Sequence, residues 1–139
     1  MSHVSKIELE VNDLDTLKAA CKRIGLEFIE GQRTYAWYGD HLGDYPLPDG
    51  ITVDDLGKCD HAIRVAGAQY EVGVVKKNGK YTLLWDFWRS GGLEKKLGKN
   101  AGKLKQAYAT ERVGREARLK GYRVCEQKVN RGIRLVLTM

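Results

Sequence analysis

Three groups of residues in this 139-residue chain have types and spacings suited to chemistry. The first is Arg89-Ser90-Gly91-Gly92, which leads into Lys95 and Lys96. A glycine pair between a strand and a helix lets backbone amides converge. The helix start adds partial positive charge, and Arg89, Lys95 and Lys96 add full charges. That is the chemistry of a phosphate or other anion site. It is not a P-loop: Gly98-Lys99 is followed by Asn100, and the earlier glycine is misplaced for the required spacing. The same residues also fit a flexible connector ahead of a solvated helix.

The second group is a basic helical face of Lys95, Lys96, Lys99, Lys103, Lys105, Arg112, Arg115, Arg118 and Lys120, with Tyr108 among them and Arg134 extending it from the last strand. Each cation that meets a phosphate releases condensed counterions, so such a face binds polyanions without reading sequence. No helix-turn-helix, zinc-finger or stacking-platform pattern indicates base readout. The alternative is a solvated lysine-rich surface. The third group is Cys59-Asp60-His61 with His41 and His3. Thiolate and imidazole suit zinc or iron, but the ligand gap is too short and there is no second cysteine pair, so no metal is expected. Asp86, between Trp85 and Phe87, is a desolvated carboxylate that His61 or Tyr70 would turn into an acid–base site and Arg89 into an ion pair. No catalytic residue and no cofactor is assigned.

Charge is unevenly spread. The net charge is +6. Residues 1–75 hold 7 Lys/Arg against 13 Asp/Glu, and residues 76–139 hold 17 against 5. Such asymmetry suits a basic surface meeting a polyanion, or two parts of one molecule that attract each other. Three widely spaced cysteines point to reduced thiols. Met1-Ser2-His3-Val4-Ser5-Lys6 has no leader-like apolar stretch, and no apolar run approaches the length of a membrane span. A cytosolic location without membrane contact is the expectation.

The elements that must position these residues follow from periodicity. Val4 to Val11 alternates and predicts a half-buried strand. Asn12 or Asp13 caps a helix whose stripe is Leu14, Leu17, Cys21 and Ile24, closed by Gly25. Leu26, Phe28 and Ile29 suggest a second strand, and Thr34 to Tyr38 another short one. Residues 39–60 read as a long acidic loop, with six aspartates against Lys58 and a helical turn near Val53–Leu56. Tyr35, Trp37, Tyr38 and Tyr45 lead into it. They are either core packing or, with the acids, a protein-docking edge over 35–60. His61–Ala66, Tyr70–Lys77 and Lys80–Trp88 are strands, the last two joined by an Asn78-Gly79 hairpin turn. Apolar residues on both faces of Lys80–Trp88 mark a central strand. Residues 93–120 form a basic helical segment, broken near Gly98–Gly102. Its stripes are Leu97, Ala101, Leu104 and Tyr108, then Ala109, Val113 and Ala117. Tyr122–Val129, where Cys125 is expected to pack, and Ile133–Thr138 form a last hairpin. Its final strand offers an edge to a second copy, hence a homodimer. The fold class is α+β: a single domain over residues 1–139, with a mostly antiparallel sheet and two main amphipathic helices packed on it.

Met-Ser-His-Val at the start, Tyr70-Glu71-Val72-Gly73, Trp85-Asp86-Phe87-Trp88, Gln106-Ala107-Tyr108-Ala109, Gly121-Tyr122-Arg123-Val124 and Ile133-Arg134-Leu135-Val136-Leu137 together resemble one family. It is the uncharacterised group typified by a plastid-encoded hypothetical chloroplast reading frame, with relatives in cyanobacteria, other bacteria and phages. The resemblance implies one domain and a cytosolic, phage-related origin, and supplies no activity. The expected function is that of a non-enzymatic accessory protein whose basic C-terminal half docks a polyanion, either nucleic acid or an acidic protein. The alternatives are a protein-interaction module working through 35–60 on a host complex, and a small enzyme around Asp86.

Overall fold

A computed structural model describes residues 3–40, 46–130 and 132–139. The element order is β1 (Val4–Val11), α1 (Leu14–Arg23), β2 (Glu27–Ile29), β3 (His61–Arg64), β4 (Glu71–Lys77), β5 (Lys80–Asp86), α2 (Leu93–Leu97), α3 (Gly102–Leu119), β6 (Arg123–Val129) and β7 (Gly132–Thr138). The first five strands form one sheet in the order β1-β5-β4-β3-β2, with every neighbouring pair antiparallel. β6 and β7 form a separate two-stranded ribbon.

Local sequence explains the elements. Asp13 caps α1: its side chain accepts from the Asp15 amide and the Thr16 hydroxyl. Asn78 and Gly79 both take positive φ, 51° and 77°, as a tight β4–β5 hairpin demands. The helical segment breaks at Gly98, and a 3-10 turn over Lys99–Ala101 leads into α3.

β5 is central and buries both faces. Leu83 and Trp85 meet the helices together with Leu17, Cys21, Leu93, Leu104 and Tyr108. Leu84 faces the other way, into a second cluster with Val4, Tyr35, Ile51, Leu56 and Cys59. Burying each such side chain contributes about 1.5–3 kcal/mol. The second face is therefore roofed by residues 35–40 and 46–59 of the same chain.

That roof is stitched down by polar side chains of the sheet. Glu71 accepts from the Ala36 amide and Gln32 Nε2, both at 3.0 Å. Lys77 Nζ donates to the Gly50 carbonyl at 3.0 Å. Two aromatics fit only because they meet glycine: the Tyr35 ring lies on Gly73, and Trp37 lies on Gly57.

Several expectations are corrected. Thr34–Tyr38 is no strand. Its one ladder contact is a bridge from Thr34 to Lys58, because the stretch spends its side chains on the roof. Ala117 is buried as expected, but Ala109 and Val113 are exposed, and α3 instead buries Ala107, Thr110 and Gly114. Cys125 is exposed, since neither face of the β6–β7 ribbon is fully covered.

Candidate anion-binding surface

The loop between β5 and α2 is a 3-10 turn, Arg89–Gly91, closed by Gly92 at φ +81°. Its glycines serve packing. A Cβ on Gly91 would lie 1.9 Å from Tyr70 Cδ2, and one on Gly92 would lie 3.3 Å from the Ala68 Cα. The Gly91 and Gly92 amides donate to the Trp88 and Arg89 carbonyls. These two amides are spent on the turn, so what an anion would meet here is the side chains. The Arg89 guanidinium stands over the Trp88 ring at 5.8 Å. Lys95 and Lys96 are exposed on α2, where the stem of Lys96 passes over Gly67.

The start of α3 adds to this surface. No side chain caps it and its first turn has no acid, while Lys99, Lys103 and Lys105 surround it. Cations at a helix N-terminus oppose its dipole. Asn100 and Ala101 both hold φ of 57°, a left-handed conformation that costs a non-glycine residue about 1–2 kcal/mol.

The nine predicted basic residues do not share one face. Lys103 borders a groove between α3 and the ribbon, with Arg23, Lys128 and Ile133. Lys105 borders a different groove beside β1, with Lys6, Glu8 and Glu94. Arg112, Arg115 and Arg118 line a third, beside Asp13, Tyr108 and Glu116. Charge compensation divides them too. Arg115 pairs with Glu111 at 3.8 Å and Lys120 with Glu116 at 3.7 Å. Among the described residues, Arg89, Lys95, Lys96, Lys99, Lys103 and Lys105 enter no ion pair, and neither do Arg112 and Arg118. Sequence alone could not separate these groups, although the acids Glu111 and Glu116 four residues before Arg115 and Lys120 were a signal.

The remaining candidates are committed elsewhere. Asp86 is fully buried and accepts the His3 and Trp88 amides on Oδ1, at 2.9 and 3.0 Å, and the Tyr38 amide on Oδ2 at 3.0 Å. It is a latch between β5, the N-terminal segment and the roof, and Arg89 stacks on Trp88 instead of pairing with it. Cys59 Sγ donates to the Gln32 carbonyl, and burial pushes its thiol up to about 11. Burial likewise pushes Cys21 to about 12. Asp60 accepts the Lys76 amide, and His61 Nδ1 accepts the Gly31 amide. Neighbours in sequence, Cys59, Asp60 and His61 thus serve three separate partners. His41 and Tyr45 lie outside the described residues. Among the described residues no group of three His, Cys, Asp or Glu gathers as a metal site, and no helix is long and apolar enough to cross a membrane.

Fold and surface together define a class: an antiparallel α+β protein with helices on one sheet face, a loop roof on the other and an unpaired cationic stretch at the α2–α3 junction. A family model for a protein of unknown function, DUF1257, matches residues 49–136, more than half of the chain, and the chain belongs to that family. The match runs from within the roof through β3–β5, the helices and the ribbon, leaving out β1, α1 and β2. No curated protein and no solved structure matches the chain.

Proposed function

We propose that this is a non-enzymatic accessory protein that docks the phosphate backbone of a nucleic acid on the stretch Arg89–Lys105. The single observation that carries this reading is the contrast in pairing. The six cations of this stretch have no acidic partner among the described residues, whereas two of the four cations further along, Arg115 and Lys120, are paired and Arg112 and Arg118 are not. Unpaired cations at an uncapped helix start lose repulsion when an anion arrives. The reading keeps the chain with plastid, cyanobacterial and phage relatives and in the cytosol, in line with three free cysteines.

The test is fluorescence anisotropy with generic duplex DNA and single-stranded RNA. With about four phosphates contacted, by Arg89, Lys95, Lys96 and Lys99, affinity falls about 10²-fold between roughly 50 and 200 mM salt. Lys95, Lys96 and Lys99 changed together to Gln flatten the salt slope by about three units of contact, while Arg115→Gln and Lys120→Gln change it little. Absence of binding at the lower salt, or equal loss from both sets, overturns the reading.

A further inference from the structure

Both edges of the five-stranded sheet carry devices that stop a sheet from pairing with another chain. β1 shifts register between Ile7 and Val11 and carries Lys6, Glu8 and Glu10. β2 is only three residues long. The ribbon is built differently. With two strands in the sheet, each strand keeps one edge without a strand neighbour. β7 runs in unbroken register with β6 from Gly132 to Thr138, carries a single charge, Arg134, and has no proline or bulge. Its Ile133, Leu135 and Val136 are half-buried and Leu137 is 42% exposed.

We propose that β7 pairs antiparallel with β7 of a second copy about a two-fold axis at Leu135, joining two ribbons into one four-stranded sheet. This register sets Leu135 against Leu135, Ile133 against Leu137 and Arg134 against Val136, so apolar meets apolar and no cation faces a cation. Symmetric pairing of β6 about its midpoint sets Glu126 against Glu126, which is repulsive. Charge therefore selects β7. The pairing is isologous and closes at two copies.

The test is sedimentation equilibrium of the full chain over a concentration series, with folding of each variant checked by circular dichroism. Val136→Lys places a cation opposite Arg134 of the other copy, twice by symmetry, and raises the dimer dissociation constant about tenfold or more. Val136→Glu places a carboxylate there and lowers it several-fold. The double variant Arg134→Glu/Val136→Lys restores pairing. If Val136→Lys does not fold, the strengthening by Val136→Glu and the recovery in the double variant still read the sign of the interaction. A monomer at every concentration overturns the proposal, as does a dimer that both charges at 136 weaken alike.

Discussion

β5 of the five-stranded sheet and both strands of the β6–β7 ribbon are seven residues long, and their surroundings differ completely. β5 has helices on one face and the loop roof on the other, with Leu83 and Leu84 fully buried. The ribbon leans on α3 with one face and keeps Cys125, Val129 and Leu137 exposed. The difference teaches that strand formation and strand burial are separate problems. Alternation and a turn make a strand, while stability depends on what the rest of the chain lays across it.

The largest effect expected from this contrast is a pair of substitutions. Leu83→Ala costs about 3–4 kcal/mol, because it leaves a cavity in a closed core. Leu137→Ala, at a partly exposed position, costs below about 1 kcal/mol. Urea unfolding measures both, and equal losses would break the comparison. Next comes Asp86→Ala. It strands three partly buried amides and costs about 3 kcal/mol, with the loss of protection in hydrogen exchange centred on Tyr38 and the His3 segment.

Arg23→Ala sharpens the ribbon's side. Arg23 joins α1 to Glu111 of α3 at 2.8 Å and to Glu126 of β6 at 2.6 Å. Its loss costs about 1 kcal/mol globally, as expected for a partly exposed network. It also raises exchange in β6 and β7 with little change in β1–β5. Unchanged exchange in the ribbon would mean that α3 alone holds it.

The smallest effect at neutral pH is Tyr35→Phe. The Tyr35 hydroxyl is buried without a hydrogen-bond partner among the described residues, so removing it is neutral within a few tenths of a kcal/mol. At high pH it becomes visible. Burial pushes Tyr35 up to about 12 from an ordinary value near 10. The unfolded chain therefore releases this proton first, and stability falls as pH rises from about 10 through about 12. The variant keeps part of that lost stability in alkaline melts. A steeper alkaline loss in Tyr35→Phe would contradict the assignment.

Much of the architecture was legible residue by residue. Alternation located β1 over Val4–Val11, Asp13 marked the helix start, and Asn78-Gly79 marked the hairpin. These are local signals, each carried by a few contiguous side chains. The roof was half legible. The chain composition over 39–60 announced a loop, but the bonds from Glu71, Lys77 and Asp86 that hold the roof join residues tens of positions apart. The rotated face of α3 departs from simple periodicity at Ala109 and Val113, which are exposed. The small residues Thr110 and Gly114 are buried there instead, and helical periodicity alone ranks Val above Gly or Thr. At the candidate surface, residue types were readable and grouping was not. Lys103 and Lys105, two positions apart, point into different grooves.

By itself, the sequence determined where chain direction and period change, that β5 would need cover on both faces, and that positive charge concentrates after residue 75. Those properties are set by nearest neighbours along the chain and by composition. Tertiary structure decided which part of the chain supplies the cover, which cations keep an acidic partner, and that Asp86 is a latch. Burial and ion pairing depend on distances between residues far apart in sequence, and folding alone sets those distances.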